Sequence, residues 1–200
     1  MKIIFLLLFL LAILFWIIRL EKLFISNKLD SSFVFPYSTD KEIKRQQIWN
    51  NLQKGILFED TQVFIPWLTP YYNLNKHAEQ REESGGRIYW FLGLHKIFDG
   101  YSSSIEVMKY IYVNHSTPFS KIEEFLGFDK DGNEKFILLK DKLINLLGEP
   151  TIIELAKFGD RDLGSIEWTK DNARVSLIGF EQFACKYWLH IGLKKNDISS

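Results

Sequence analysis

Cysteine is almost missing from this 200-residue chain, where Cys185 stands alone. A single thiol closes no internal disulfide and cannot supply the paired cysteines of a structural zinc site. That scarcity fits a reducing compartment and an oxidising one about equally. Histidine is sparse as well. His77, His95, His115 and His190 include no pair at the i, i+4 spacing that puts two ligands on one helix face. A surplus of one charge is also lacking, with 25 basic against 25 acidic side chains. Beyond residue 30 the balance is 21 to 23, which argues against a nucleic-acid partner.

Glycine-rich signatures are missing too. The chain has no phosphate-binding glycine loop and no G-x-S-x-G elbow. Gly100-Tyr101-Ser102-Ser103-Ser104 comes nearest and lacks the final glycine. Asp129 to Glu134 echoes a calcium loop, but its sixth and twelfth positions are Glu134 and Lys140 instead of Gly and Glu. Asp160-Arg161-Asp162 reads as a charged turn between glycines. No cofactor and no metal site are expected.

What is there first is an apolar run. Every residue from Ile3 to Ile18 is apolar, between Lys2 and Arg19. As a helix, about 16 residues reach about 24 Å, and snorkelling charges with Trp16 at the headgroups bring that near a ~30 Å hydrocarbon core. A buried core helix would carry a polar stripe. A cleaved signal would end in small residues, whereas this run ends in Trp16-Ile17-Ile18-Arg19. The expectation is a retained single-pass transmembrane anchor over 1–24, with the lipid bilayer as a partner through residues 3–18. The orientation stays open. Lys2 precedes the run while Arg19, Lys22 and Lys28 follow it, which points the domain toward the cytoplasm when Lys and Arg alone are counted. Asn114-His115-Ser116 is a glycosylation sequon whose use the sequence does not decide.

After a linker over 25–37 the sequence predicts one globular domain over 38–195 and a tail over 196–200. Thr39 and Glu42 have capping-box spacing, with Ile43, Ile48 and Leu52 on one helical side and Gly55 to close the helix. Thr69-Pro70 and Thr117-Pro118 each look like helix starts, the second leading to Phe119, Ile122 and Leu126. A longer helix over about 134–147 ends at Gly148, and Pro150 bars its continuation. Asp99-Gly100 predicts a two-residue hairpin turn. With Asp171-Asn172 as another loop, Trp168 faces Val175 and Ile166 faces Leu177. A last strand covers Tyr187 to Leu193. The expected fold class is α+β, an antiparallel sheet of about five to seven strands with helices packed on one side. The order of helix, Gly148-Glu149-Pro150, strand, hairpin and strand is similar in layout to small bacterial immunity proteins that neutralise toxins, a similarity that brings no diagnostic residue.

Two groups of residues are candidates for a site. The two-residue loop sets His95 opposite Ser104 and brings Glu106 onto the same face, offering base, nucleophile and orienting carboxylate. An antiparallel face supplies no spare N–H groups for an oxyanion, so a hydrated sheet face is the plainer reading. Trp67, Tyr71 and Tyr72 crowd a loop-to-helix junction, as either a binding patch or a small satellite core. Abundant aromatics (6 Trp, 8 Tyr, 17 Phe), neutral charge and absent chemistry point to a membrane-anchored protein- or peptide-binding domain without catalytic activity. Its most concrete form is an immunity-type inhibitor. The alternatives are an accessory subunit of a membrane complex and a small membrane-bound hydrolase using His95, Ser104 and Glu106.

Overall fold

Two segments that helical spacing claims are extended in the structure, a computed structural model that describes residues 33–194. The protein is mostly β, which overturns the α+β class and its five to seven strands. Eight strands form one antiparallel sheet, β3 (Gln80–Ser84), β4 (Arg87–Ile97), β5 (Tyr101–Tyr110), β6 (Lys121–Phe128), β10 (Ala184–Leu193), β9 (Ala173–Gln182), β8 (Arg161–Lys170) and β7 (Ile152–Phe158) in spatial order. A separate ribbon pairs β1 (Gly55–Phe58) with β2 (Val63–Pro66). Among the described residues the helices are α1 (Lys41–Leu52) and α2 (Asp129–Leu147), with one 3₁₀ segment at Tyr71–Lys76. Among the described residues no helix is long and apolar enough to cross a membrane. The expected anchor over 1–24 lies outside the described residues, as does the tail.

The reason for the miscounted strands is period ambiguity. Ile122 and Leu126 are four apart, which satisfies a helix face, but four is also an even number and satisfies a strand face. In β6 both are buried on the side that meets α2. The polar stretch from Gln80 to Ser84, which a helix begun at Thr69-Pro70 would have to include, is an exposed edge strand joined to β4 by a turn at Gly85 and Gly86, both at positive φ. Gly55 closes no helix. It opens β1, and the carbonyl of Ile65 lies so close that no Cβ fits. The cap of α1 is also displaced by one residue, because Asp40 accepts from the N–H groups of Glu42 and Ile43 where Thr39 was expected to.

The strand order records two four-strand meanders, β3–β6 and β7–β10, each preceded along the chain by a helix and joined where β6 pairs with β10. Hydrophobic burial is continuous across both. Ile88, Trp90, Ile105, Val107, Ile122 and Leu126 share one cluster with Leu189, Leu177, Ile166 and Trp168. Helix α2 closes that cluster with Phe136, Leu139, Leu143 and Leu147. Ile48, Trp49 and Leu52 of α1 join it, and the Trp49 indole donates to the carbonyl of Leu147 at 3.2 Å. Both helices therefore cover one face of the sheet, and among the described residues no helix lies on the other.

Candidate functional site: the uncovered face of the sheet

Strand alternation decides what the uncovered face presents. In β10, Cys185, Tyr187, Leu189 and Ile191 are buried toward the helices, so Trp188 and His190 point the other way. Register then sets their neighbours. Trp188 is opposite Phe125 on β6 and Ile178 on β9, and one rung away Lys186 is opposite Phe128 and Phe180. Phe125 and Trp188 have ring centroids 4.8 Å apart, and Phe125 meets Phe128 edge-on at 4.7 Å. Phe128 and Phe180 are exposed, and Phe183 at the apex of the β9–β10 turn is wholly so. Phe183 also holds φ +65°, a conformation that a bulky side chain adopts only at a cost.

Beside this aromatic group runs a charged row. Phe91, Glu106, Glu123, His190, Ser176 and Glu167 are successive cross-strand partners from β4 to β8. Glu123 pairs with Lys121, Arg174 pairs with Glu167, and His190 Nε2 lies 3.8 Å from Glu123 Oε1. Ser120, Lys121, Arg174, Ser176, His190 and Gly192 line a shallow depression of about 290 Å³. Burial pulls the His190 imidazolium down to about 4, helped by Lys121 and Arg174 against the opposing pull of Glu123, so His190 is neutral at pH 7. Burial raises the Glu106 carboxyl to about 6, with the adjacent Glu123 adding to it.

That shift makes stability depend on pH. Glu106 binds its proton more tightly in the folded state, so protonation stabilises the fold, and the benefit is lost as pH rises from about 4.5 to about 6. Glu106→Gln is expected to be more stable than the native chain by about 1 kcal/mol above pH 6, a figure discounted for the partial exposure of the site. The two should converge below pH 4.5. Denaturant titrations across pH 4–7.5 check this, and a constant difference would refute it.

The sequence-derived candidates fall elsewhere. The β4–β5 loop has three residues, Phe98, Asp99 and Gly100, all at positive φ, so Ile97 and not Phe98 faces Tyr101. One residue of slip sends side chains to the opposite face. His95 thus pairs with Ser103, while Ser104 and Glu106 lie on the uncovered face with Leu94 and Phe91 opposite them. The imidazole of His95 stacks on Phe58 at 4.1 Å, with Nδ1 3.2 Å from Asp60 and Nε2 2.9 Å from the carbonyl of Leu92. The three residues do not converge. Trp67 is buried and donates to the carbonyl of Leu52, and Tyr71 stacks on Trp90 at 5.4 Å. Tyr72 alone of that trio is largely exposed.

Glu123, His190 and Ser176 do stand side by side on three adjacent strands, a row that sequence spacing missed. As a catalytic set it lacks an oxyanion site, because β10 lies between β6 and β9 and its N–H groups are taken by the two ladders. Among the described residues no group of three or more His, Cys, Asp or Glu side chains is placed to hold a metal ion. What remains is a surface half aromatic and half charged. Its signal was the alternation Tyr187-Trp188-Leu189-His190-Ile191, legible once both neighbours of β10 are known. No protein-family model, curated protein or solved structure matched the chain.

Proposed function

We propose that the domain binds a protein or peptide partner through the uncovered face of its sheet, without catalysis, while residues 3–18 hold the chain at a lipid bilayer. Its most concrete form is an immunity-type inhibitor that meets a toxin at the membrane. The observation that carries this reading is the aromatic group around Trp188, set beside a neutralised charged row. Interfaces draw most of their energy from a few Trp, Tyr and Arg anchors, with polar neighbours supplying register and partner choice. Phe183 adds weight, since a fully exposed ring at positive φ contributes nothing to the core.

Trp188→Ala is the test. In full-length protein extracted in detergent, the substitution should weaken capture of the bound partner by at least about 30-fold, as hot-spot truncations do. Trp188→Phe should restore part of it, and circular dichroism should report an intact fold. Unchanged capture by a folded Trp188→Ala protein refutes the reading. His190→Ala serves as the contrast, because loss of biological activity with capture intact would favour a hydrolase built on His190, Ser176 and Glu123.

A further inference from the structure

The two edges of the eight-stranded sheet are built differently. Edge strand β3 reads Gln80-Arg81-Glu82-Glu83-Ser84, with Arg81 and Glu83 paired at 2.5 Å. Charges of this kind keep an unpaired strand from recruiting another. Edge strand β7 reads Ile152-Ile153-Glu154-Leu155-Ala156-Lys157-Phe158, and among the described residues it pairs with β8 alone. Ile152, Ile153 and Phe158 are 43, 62 and 48% exposed, on both faces of the sheet. Its one cation is occupied, since Lys157 Nζ reaches Asp162 on β8 at 2.8 Å. A seven-residue strand with an open outer side and five apolar side chains is thus presented at one edge, while a charged strand closes the other.

We propose that β7 is the seam of a homodimer, in which a second copy of the chain pairs its own β7 antiparallel to the first and extends the sheet across a two-fold axis. The sequence of β7 selects this occupant. In an antiparallel ladder directly opposed residues share a face, so a two-fold axis normal to the sheet must place one residue against itself. Centred on Glu154, the seam opposes two carboxylates. Centred on Ala156, it sets Glu154 against Phe158. Centred on Leu155, every rung is compatible: Leu155 meets Leu155, Ile152 meets Phe158, Glu154 meets Ala156, and Ile153 meets Lys157. In the last rung the Lys157 ammonium stays with Asp162 and its aliphatic stem covers Ile153. Opposed apolar pairs of this kind stabilise a ladder, and like charges face each other nowhere in it. This seam is independent of whatever the uncovered face binds.

The test uses the full-length chain in detergent. Sedimentation equilibrium should find a dimer, and Ile153→Lys should convert it to a monomer by facing Lys157 of the second copy. Ile153 is exposed in the single chain, so that substitution leaves the fold intact. Ile153→Lys combined with Lys157→Glu should restore the dimer through opposite charges. Register is read by cross-linking under an added oxidant. Leu155→Cys should form an intermolecular disulfide, because ladder partners lie about 4.5–5.5 Å apart at Cα, within disulfide reach. Ala156→Cys should cross-link several-fold less, and the native chain not at all, since Cys185 is buried. A monomeric native chain overturns the proposal. So does a dimer that persists in Ile153→Lys, or equal cross-linking at positions 155 and 156.

Discussion

Trp168→Ala is expected to destabilise the domain by about 3–5 kcal/mol, the range for truncating a large buried ring. Trp168 sits on β8 at 1% exposure, opposite Val175, and belongs to the same apolar cluster as Leu147 at the end of α2. Its indole donates to the carbonyl of Gly148 at 2.9 Å, satisfying one of the carbonyls that the end of α2 leaves without a helical partner. Truncation therefore opens a cavity and removes the partner of a part-buried acceptor at once. For a domain of this size the loss should lower the melting temperature by about 10 °C. Urea denaturation followed by near-UV circular dichroism measures it, and a cost below about 1 kcal/mol would mean that the helix end does not rest on this hairpin.

Gly132→Val should cost about 3 kcal/mol or more, for a reason opposite to a cavity. Gly132 lies in the first turn of α2, where the helix comes down onto the sheet. A Cβ there would sit 2.5 Å from the carbonyl oxygen of Gly127 and 2.6 Å from the ring of Tyr187. Gly127 is backbone of β6 at φ +134°, and Tyr187 is wholly buried, so neither wall yields cheaply. Overpacking of this kind costs about 1–3 kcal/mol per site, and a β-branched side chain lies at the upper end. Gly132→Ala should show a smaller loss in the same direction. A valine variant as stable as the native chain would mean that α2 can lift away from β6. This glycine lies in the stretch that echoes a calcium loop, and packing is what its lack of a side chain serves.

Legibility followed the range of the interaction. The β8–β9 hairpin was readable residue by residue, with Trp168 opposite Val175 and Ile166 opposite Leu177 about the Asp171-Asn172 loop. The later part of α2 and its stop at Gly148 were equally readable, because caps and periodicity are local. The β4–β5 hairpin was readable in kind but not in register. Asp99-Gly100 suggested two loop residues and the chain uses three, with Phe98 driven to positive φ while remaining buried. Glu59 completes that loop by accepting from the N–H groups of Asp99 and Gly100, a contact 40 residues away in sequence that no hairpin rule contains. The candidate group at His95, Ser104 and Glu106 dissolved for that reason alone.

By itself the sequence determined α1 and α2 in outline, the tight β8–β9 turn, the single cysteine that closes no internal disulfide, and the apolar run near its start. Those follow from residue types acting within a few positions of one another. Only tertiary structure decided that β6 is a strand, that it lies beside β10, and that Phe125, Trp188, Glu123 and His190 meet on one face. The pairing joins segments about 60 residues apart, and neither strand carries a local mark of its neighbour. An even spacing of apolar residues serves helix and strand alike, so the choice fell to burial. With β6 as a strand, Ile122 and Leu126 close the same core as Leu189 and Phe136, and the ladder with β10 pairs its backbone along most of its length.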